Sequence, residues 1–255
     1  MVMFNVRNSF RSLGLAVIQK LRMFYPKSFP KDATDKDIDI LNKISGYTMT
    51  SIDRQLTLIN AVRYIVSSGI NGCFVECGVW RGGSSMAVAL ALLQEKRNDR
   101  DVFLYDTFEG MTAPTDNDKT LDGTLARQHL DRDTNKSGYW CVAGIEDVRG
   151  NMNSTGYPEE KIHLIEGPVE KTIPSKMPTD SIALLRLDTD WYESTKHELI
   201  HLFPRLTEGG ILIIDDYGHW EGARKAVDEY FEGQKEKYYF NRIDYTGRLI
   251  VKGLK

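Results

Sequence analysis

The sequence lacks the features that mark secreted, membrane-spanning and nucleic-acid-binding proteins. It has only three cysteines in 255 residues, without the paired spacing of a metal site, which favours buried thiols in a reducing compartment. No apolar run approaches the roughly 20 residues of a transmembrane helix. The 33 basic side chains are matched by 36 acidic ones, so no overall positive charge is present for binding nucleic acid. We therefore predict a cytoplasmic protein with no transmembrane segment and no nucleic-acid partner.

The first part of the chain differs in character from the rest. Residues 1–31 contain six basic side chains and no acidic one, with bulky apolar residues between them. The longest apolar stretch, residues 15–18, is too short for a secretory signal, whose apolar region takes about 7–15 residues. We interpret residues 1–50 as a basic helical arm that packs on its own chain or on a sister subunit of a homo-oligomer. Contact with an anionic membrane surface and disorder are the alternatives.

From residue 51 onward, short apolar segments alternate with segments of helical periodicity. This alternation predicts an α/β domain over residues 51–255, with a doubly wound, mostly parallel sheet of Rossmann-like type and a C-terminal antiparallel hairpin. The predicted strands are 72–77, 101–105, 162–165, 182–187 and 210–214, with hairpin strands at 238–243 and 248–251. The predicted helices are 51–67, 84–93, 194–206 and 222–231.

Residues 111–160 interrupt this alternation. They are polar and rich in Asp, Asn, Thr and Gly, with one short helix predicted at 144–152. A connection of this length inside a compact domain is usually functional. We predict a lid over the binding site, and a disordered surface insertion is the alternative.

The chemistry is concentrated where the predicted strands end. In an open parallel sheet, ligands bind beyond the carboxyl ends of the strands. A glycine-rich turn at residues 76–83 allows close approach of the backbone to a ligand, and Asp106 ends the next strand, where an acid can bind a ribose diol. Together they indicate an adenosine-type ligand.

Two further strands end in acids. Asp188, Asp215 and Asp216 should lie close together, and such a cluster repels itself unless protons or a cation are bound. Mg²⁺ prefers oxygen ligands of this kind. The alternative is that Asp188 pairs with Arg186 or Lys196, while the other two acids cap the following turn.

These motifs resemble those of the macrocin-type sugar O-methyltransferases. The resemblance is carried by LRLDTDWYEST at residues 185–195 and by IDDY at 214–217, and it covers roughly residues 47–230. It implies a class I methyltransferase fold, S-adenosylmethionine and Mg²⁺ as cofactors, and a small glycosylated acceptor such as an antibiotic deoxysugar. Pro168 is a departure, because the family more often has an aromatic residue at that point, next to the adenine.

The resemblance also implies roles for individual residues. Asp188 is the expected general base, Asp190 and His219 are alternatives, and Glu193 is expected to contact the sugar. In the predicted lid, Tyr139 and Trp140 are available to stack on a sugar face. The implied metal ligands are Asp188, Asp215 and Asp216, and the implied cofactor-binding residues are Glu76, Cys77, Gly78, Val79, Trp80, Asp106, Thr107, Phe108, Gly167 and Pro168.

Two other enzyme classes share part of this pattern. Tyr192 and Lys196 have the Tyr-x-x-x-Lys spacing of short-chain dehydrogenases, although the glycine turn lies far from the N-terminus for that class. Asp188-Thr189-Asp190 matches the Asp-x-Asp motif of metal-dependent glycosyltransferases, which leaves the glycine turn and Asp106 without a role.

Overall fold

The structure is a computed structural model that describes residues 29–133, 138, 140–178 and 181–253. Most of the predicted arm, residues 1–28, lies outside the described residues, and so does Tyr139. Among the helices in the described ranges, none combines the length and apolar character needed to cross a membrane.

One sheet organises the described chain. β1 to β5 run parallel, β7 is antiparallel to β5, and β6 is antiparallel to β7. The strand order is β3-β2-β1-β4-β5-β7-β6. This confirms the predicted doubly wound, mostly parallel sheet with a C-terminal antiparallel hairpin. The strands are β1 (Cys73–Cys77), β2 (Val102–Asp106), β3 (Ile162–Glu166), β4 (Ile182–Leu187), β5 (Leu206–Ile214), β6 (Asn241–Arg242) and β7 (Arg248–Val251).

Helices cover both faces of the sheet. α1, α2, α3 and α5 contribute to the core on one face, and α6, α7 and α8 to the core on the other. Two 3₁₀ turns at Glu159–Lys161 and Phe203–Arg205 precede strands. The helices are α1 (Asp35–Ile44), α2 (Ile52–Ser67), α3 (Gly83–Gln94), α4 (Ala126–Arg132), α5 (Ile145–Asn153), α6 (Val169–Thr172), α7 (Tyr192–Leu202) and α8 (Glu221–Glu232).

The predicted helix at 194–206 is wrong at both ends. α7 begins at Tyr192 and ends at Leu202, and a 3₁₀ turn follows. Pro204 lies in this turn and has no N–H to continue the helical hydrogen bonds. β5 accordingly begins at Leu206, four residues before the predicted start at 210.

The first strand of the predicted hairpin is much shorter than expected. Only Asn241–Arg242 pairs with β7. The aromatic residues before it pack on the core instead: the ring centroids of Tyr238 and Phe203 are 5.5 Å apart, and those of Phe240 and Phe231 are 5.1 Å apart. The aromatic residues that suggested a strand at 238–243 therefore serve to pack on the core and do not extend the pairing with β7.

Parts of the predicted arm and lid belong to the core. α1 was not predicted, yet its Ile40 and Ile44 are fully buried beside α3. In α5, Val148 and Met152 are also fully buried in the same core.

Candidate active site

The ends of the central strands lie side by side above a cavity of about 440 Å³. Cys77, Leu187 and Ile214 are register partners across β1, β4 and β5. The ladder continues for one residue beyond them: Asp188 N–H donates to the Cys77 carbonyl at 2.8 Å, and Asp215 N–H donates to the Leu187 carbonyl at 2.9 Å. This register brings the predicted cofactor and metal residues to one edge of the sheet.

The glycine turn after β1 is held by backbone geometry and by one carboxylate. Gly78 has φ of +80°, and a side chain there would collide with the carbonyl of Asp188. Asp106, at the end of β2, accepts hydrogen bonds from the N–H groups of Val79 at 2.6 Å and Trp80 at 3.1 Å. The acid predicted to bind a ribose therefore also fixes the turn.

Most of the predicted cofactor residues line the cavity. Two do not: Cys77 and Phe108 are buried behind its wall. Phe108 contributes its N–H to the second oxygen of Asp106 at 2.8 Å. Those on the cavity wall are Glu76, Gly78, Val79, Trp80, Asp106, Thr107, Gly167 and Pro168.

The predicted acidic cluster is present. Asp188, Asp215 and Asp216 each offer a carboxylate oxygen within 4.8 Å of the other two. Burial, opposed for Asp188 by Arg186 and reinforced by the neighbouring acids, raises the pKa of both Asp188 and Asp216. Asp190 joins the cluster through a hydrogen bond with Asp216, and burial raises the pKa of Asp190 to about 7. The structure thus places Asp190, an alternative base, beside Asp188 and the other predicted metal ligands.

Two arginines balance part of this charge. Arg186 places Nη2 2.6 Å from Asp215 and 2.9 Å from Asp188, and it also pairs with Glu76. Pairing of Asp188 with Arg186, weighed above as the alternative to a metal, is therefore observed together with the cluster. Arg54 on α2 pairs with Asp215 as well. Nothing in the sequence indicated Arg54, which precedes Asp215 by 161 residues.

The donor set fits a hard divalent cation. Among the described residues that line the cavity, two guanidiniums, those of Arg54 and Arg186, lie with the five carboxylates of Glu76, Asp188, Asp190, Asp215 and Asp216. The acids share hydrogen bonds that require protons on some of them. A cation with oxygen preference can replace those protons.

Aromatic side chains also line the cavity. Trp191 and Trp220 line the cavity with ring centroids 5.1 Å apart, edge to face. Trp140 does not line the cavity; its ring belongs to the small core beside α4, and its Nε1 donates to the Leu130 carbonyl. Glu193 is exposed on the first turn of α7 and also lies outside the cavity lining.

Tyr192 and Lys196 are not arranged for hydride-transfer chemistry. The Tyr192 hydroxyl donates to Glu229 at 2.6 Å, and the Lys196 ammonium donates to the same hydroxyl. Neither residue lines the cavity. Their spacing reflects a surface contact between α7 and α8.

Comparison with known proteins decides the class of chemistry. Residues 3–252 match the macrocin O-methyltransferase (TylF) family. The chain belongs to this family. It is therefore an O-methyltransferase, and its family membership decides against the dehydrogenase and glycosyltransferase interpretations.

Individual relatives agree with the family. A tetracenomycin-C rhamnosyl 4'-O-methyltransferase of Streptomyces olivaceus is 35% identical over 202 residues, which span 79% of this chain and 74% of that protein. Mycinamicin III 3''-O-methyltransferase of Micromonospora griseorubida is 30% identical over 72% of this chain and 70% of its own length. The solved O-methyltransferase NovP superposes with a TM-score of 0.71 at 29% identity, covering 82% of this chain and 83% of NovP.

Proposed function

We propose that the enzyme transfers a methyl group from S-adenosylmethionine to a sugar hydroxyl of a small glycosylated acceptor, with Mg²⁺ assisting. The observation that carries this proposal is the single cavity in which the glycine turn and Asp106 face the Asp188, Asp215 and Asp216 cluster. The names of two relatives, which act on a rhamnosyl-tetracenomycin compound and on mycinamicin III, support a glycosylated acceptor.

S-adenosylmethionine would lie along the ends of β1 and β2. The N–H groups of Val79 and Trp80 occupy one oxygen of Asp106, and Phe108 N–H contacts the other. The Thr107 hydroxyl lies 3.4 Å from that second oxygen but donates to the Gly110 carbonyl at 2.6 Å, so one of the about four acceptor positions of a carboxylate stays open to a ribose hydroxyl. Gly167 and Pro168 line the cavity beyond β3, on the side expected for adenine.

Asp188, Asp215 and Asp216 would hold the cation. When bound, Mg²⁺ supplies positive charge that lowers the pKa of a nearby hydroxyl. Arg186 and Arg54 orient Asp215 in advance through their ion pairs. Positioning of the two reacting groups then accounts for much of the rate acceleration.

The acceptor proton is taken by a residue of the Asp188–Asp190 loop. Asp188 is the general base in our proposal, and Asp190 is the alternative, since both line the cavity beside the cluster. His219 also lines it, with its Nδ1 3.5 Å from the Tyr245 hydroxyl. Burial lowers the pKa of His219, which keeps its imidazole neutral and able to accept a proton.

Assays with and without chelator test the proposal. We expect EDTA to abolish methyl transfer while calorimetry shows nearly unchanged S-adenosylmethionine binding, because the cofactor occupies the other half of the sheet edge. Asp188→Asn should lose rate even at saturating Mg²⁺, since an amide can bind a metal through oxygen but cannot accept the proton. Full activity in excess chelator would refute the metal role, and a fully active Asp188→Asn variant would transfer the base to Asp190 or His219.

We also propose that the enzyme works in the cytoplasm as a homo-oligomer. The three cysteines, which lack paired spacing, support the first part. The apolar side chains of the basic arm, which need burial, support the second.

A further inference from the structure

Glu198 is a fully buried acid on α7, below the loop that carries Asp188 and Asp190. Its carboxyl oxygens accept hydrogen bonds from the Thr189 hydroxyl at 3.0 and 3.2 Å, and it also hydrogen-bonds to the Cys77 thiol. Within the described ranges, no basic side chain forms an ion pair with it. Burial raises the pKa of Glu198 well above its usual range, and the contacts that the carboxyl makes are hydrogen bonds.

The loop above Glu198 needs such support. Asp190 has φ of +67°, in the left-handed region, which a residue with a side chain populates sparsely and keeps only where the surrounding structure holds it. The surrounding contacts must stabilise it. The Thr189 carbonyl accepts from Trp191 N–H at 2.8 Å and from the Ser194 hydroxyl at 3.4 Å, while its own hydroxyl points down to Glu198.

The same carboxyl reaches the other half of the site. Cys77 ends β1 and precedes Gly78, whose backbone lies against the carbonyl of Asp188. One buried side chain thus contacts the strand that leads into the glycine turn and the loop that carries the acids. An apolar residue of similar volume would fill the space but would leave the Thr189 hydroxyl without this partner.

We propose that Glu198 is a positioning residue of the methyltransferase: by binding Thr189, it holds the Asp188–Asp190 loop with both carboxylates turned into the cavity. It touches neither cofactor nor acceptor. This inference rests on the proposed function and extends it to a residue outside the cavity wall.

Three variants test the contact from both sides. Glu198→Leu removes the hydrogen bonds at similar volume, Thr189→Val removes only the hydroxyl, and Glu198→Gln keeps a neutral polar group. We expect the first two to lower kcat by about 10- to 100-fold, as a small misplacement of reacting groups does. The Kd for S-adenosylmethionine should stay unchanged within error in Thr189→Val, which leaves the Glu198–Cys77 contact in place, and Glu198→Gln should retain most of the wild-type kcat. Because Glu198 and Thr189 act through one contact, the double variant should be no slower than the slower single variant.

Leu199→Ala is the matched control. Leu199 is the next residue on the same helix and is fully buried in the apolar core, and its side chain has no group that can hydrogen-bond to the loop. Leu199→Ala should lower Tm without lowering kcat. A folded Thr189→Val enzyme with wild-type kcat would overturn the proposal. If Glu198→Leu does not fold, Thr189→Val alone tests the contact. Additive losses, or a Glu198→Gln enzyme as slow as Glu198→Leu, would also overturn it.

Failure of the Glu198 proposal can be distinguished from failure of the proposed function. If the wild-type enzyme methylates no glycosylated acceptor, the proposed function fails on its own. Mg²⁺ titration by calorimetry then still tests the positioning role, because a displaced Asp188 should weaken Mg²⁺ binding in Thr189→Val. Unchanged Mg²⁺ affinity in that variant would overturn the inference independently of methyl transfer.

Discussion

The charges of the site converge on Arg186. Its guanidinium, 4% exposed, contacts Glu76 on β1, Asp188 beyond β4 and Asp215 beyond β5. Each of these acids would be costly to bury without a counter-charge. Arg186 therefore allows acids from three adjacent strands to lie together before any metal is bound.

Replacing Arg186 should destabilise the fold. Arg186→Met leaves three acids without their shared cation, and breaking a buried ion pair from one side costs about 3–5 kcal/mol. Urea denaturation in the presence of chelator measures this loss. Arg97→Met is the control, because the Arg97–Asp99 pair is largely exposed and such pairs contribute at most about 1 kcal/mol. Equal stability of the two variants would contradict the central role of Arg186.

Asp106 should matter for cofactor binding. Asp106→Ala removes the acceptor for Val79 and Trp80 N–H and the proposed ribose contact, so we expect S-adenosylmethionine to bind about 1–3 kcal/mol more weakly. Calorimetry on the folded variant checks this, with circular dichroism as the control for folding. Unchanged affinity would show that the ribose is bound elsewhere.

At the scale of elements, the segment after β2 is attached to the start of α7. Asp118 is fully buried and accepts from Tyr192 N–H at 2.8 Å and Thr115 N–H at 2.6 Å. Trp191 Nε1 donates to the Thr112 carbonyl. Trp191, the residue before α7, forms no side-chain cap, so Asp118 supplies from another segment the acceptor that an N-cap residue normally provides.

Loss of this contact should loosen the part of the cavity wall that Trp191 and Trp220 form. Asp118→Ala should raise the acceptor KM and accelerate hydrogen exchange at residues 111–125 and in the first turn of α7, while S-adenosylmethionine affinity stays unchanged. Asp122→Ala is the control, because Asp122 bonds only within its own exposed turn. Wild-type exchange and KM in Asp118→Ala would contradict this assignment.

The segment predicted as a lid has two parts, the buried helix α5 and the residues before it. Val148 and Met152 bury α5 in the core, so we expect residues 145–153 to be protected from hydrogen exchange with or without ligands. If the lid closes over the ligands and excludes water from the reaction, ligands should slow hydrogen exchange only in residues 111–133. Equal exchange of that segment in free and ligand-bound enzyme would contradict a lid role.

At the scale of the whole molecule, the proposed metal site predicts a link between stability and Mg²⁺. Asp216→Asn removes one member of a group whose pKa values are raised by burial and mutual repulsion. Tm in chelator should therefore rise relative to wild type, and the further rise on adding Mg²⁺ should disappear. Differential scanning calorimetry with and without Mg²⁺ measures both. A Tm that still rises with Mg²⁺ as in wild type would exclude Asp216 as a ligand.

The basic arm makes a separate prediction. Deletion of residues 1–31 should lower the oligomeric state measured by sedimentation, because an arm with many apolar side chains needs a partner surface to bury them. If the truncated enzyme keeps its mass but no longer binds anionic vesicles, the membrane interpretation is correct instead.

Local sequence pattern was sufficient for the fold class and for the positions of the acids. Short apolar strands that end in Asp106, Asp188 and Asp215 place carboxylates at the ligand-binding edge of any parallel sheet, since this depends only on strand ends. The family motif then specified the class of chemistry. Propensity was less informative at Pro204 and at Tyr238, where helix termination and aromatic packing changed the predicted boundaries.

The side chains that support the site from other segments were decided only by the tertiary structure. Arg54 reaches Asp215, Glu198 supports Thr189 from below, and Asp118 caps a helix that starts at Tyr192. Each pair except Glu198 and Thr189 joins residues far apart in sequence, so its formation depends on how α2, α7 and the long insertion dock on the sheet. For Glu198 the deciding quantity is burial, because a helix sequence alone does not show that an acid faces the interior without a counter-charge.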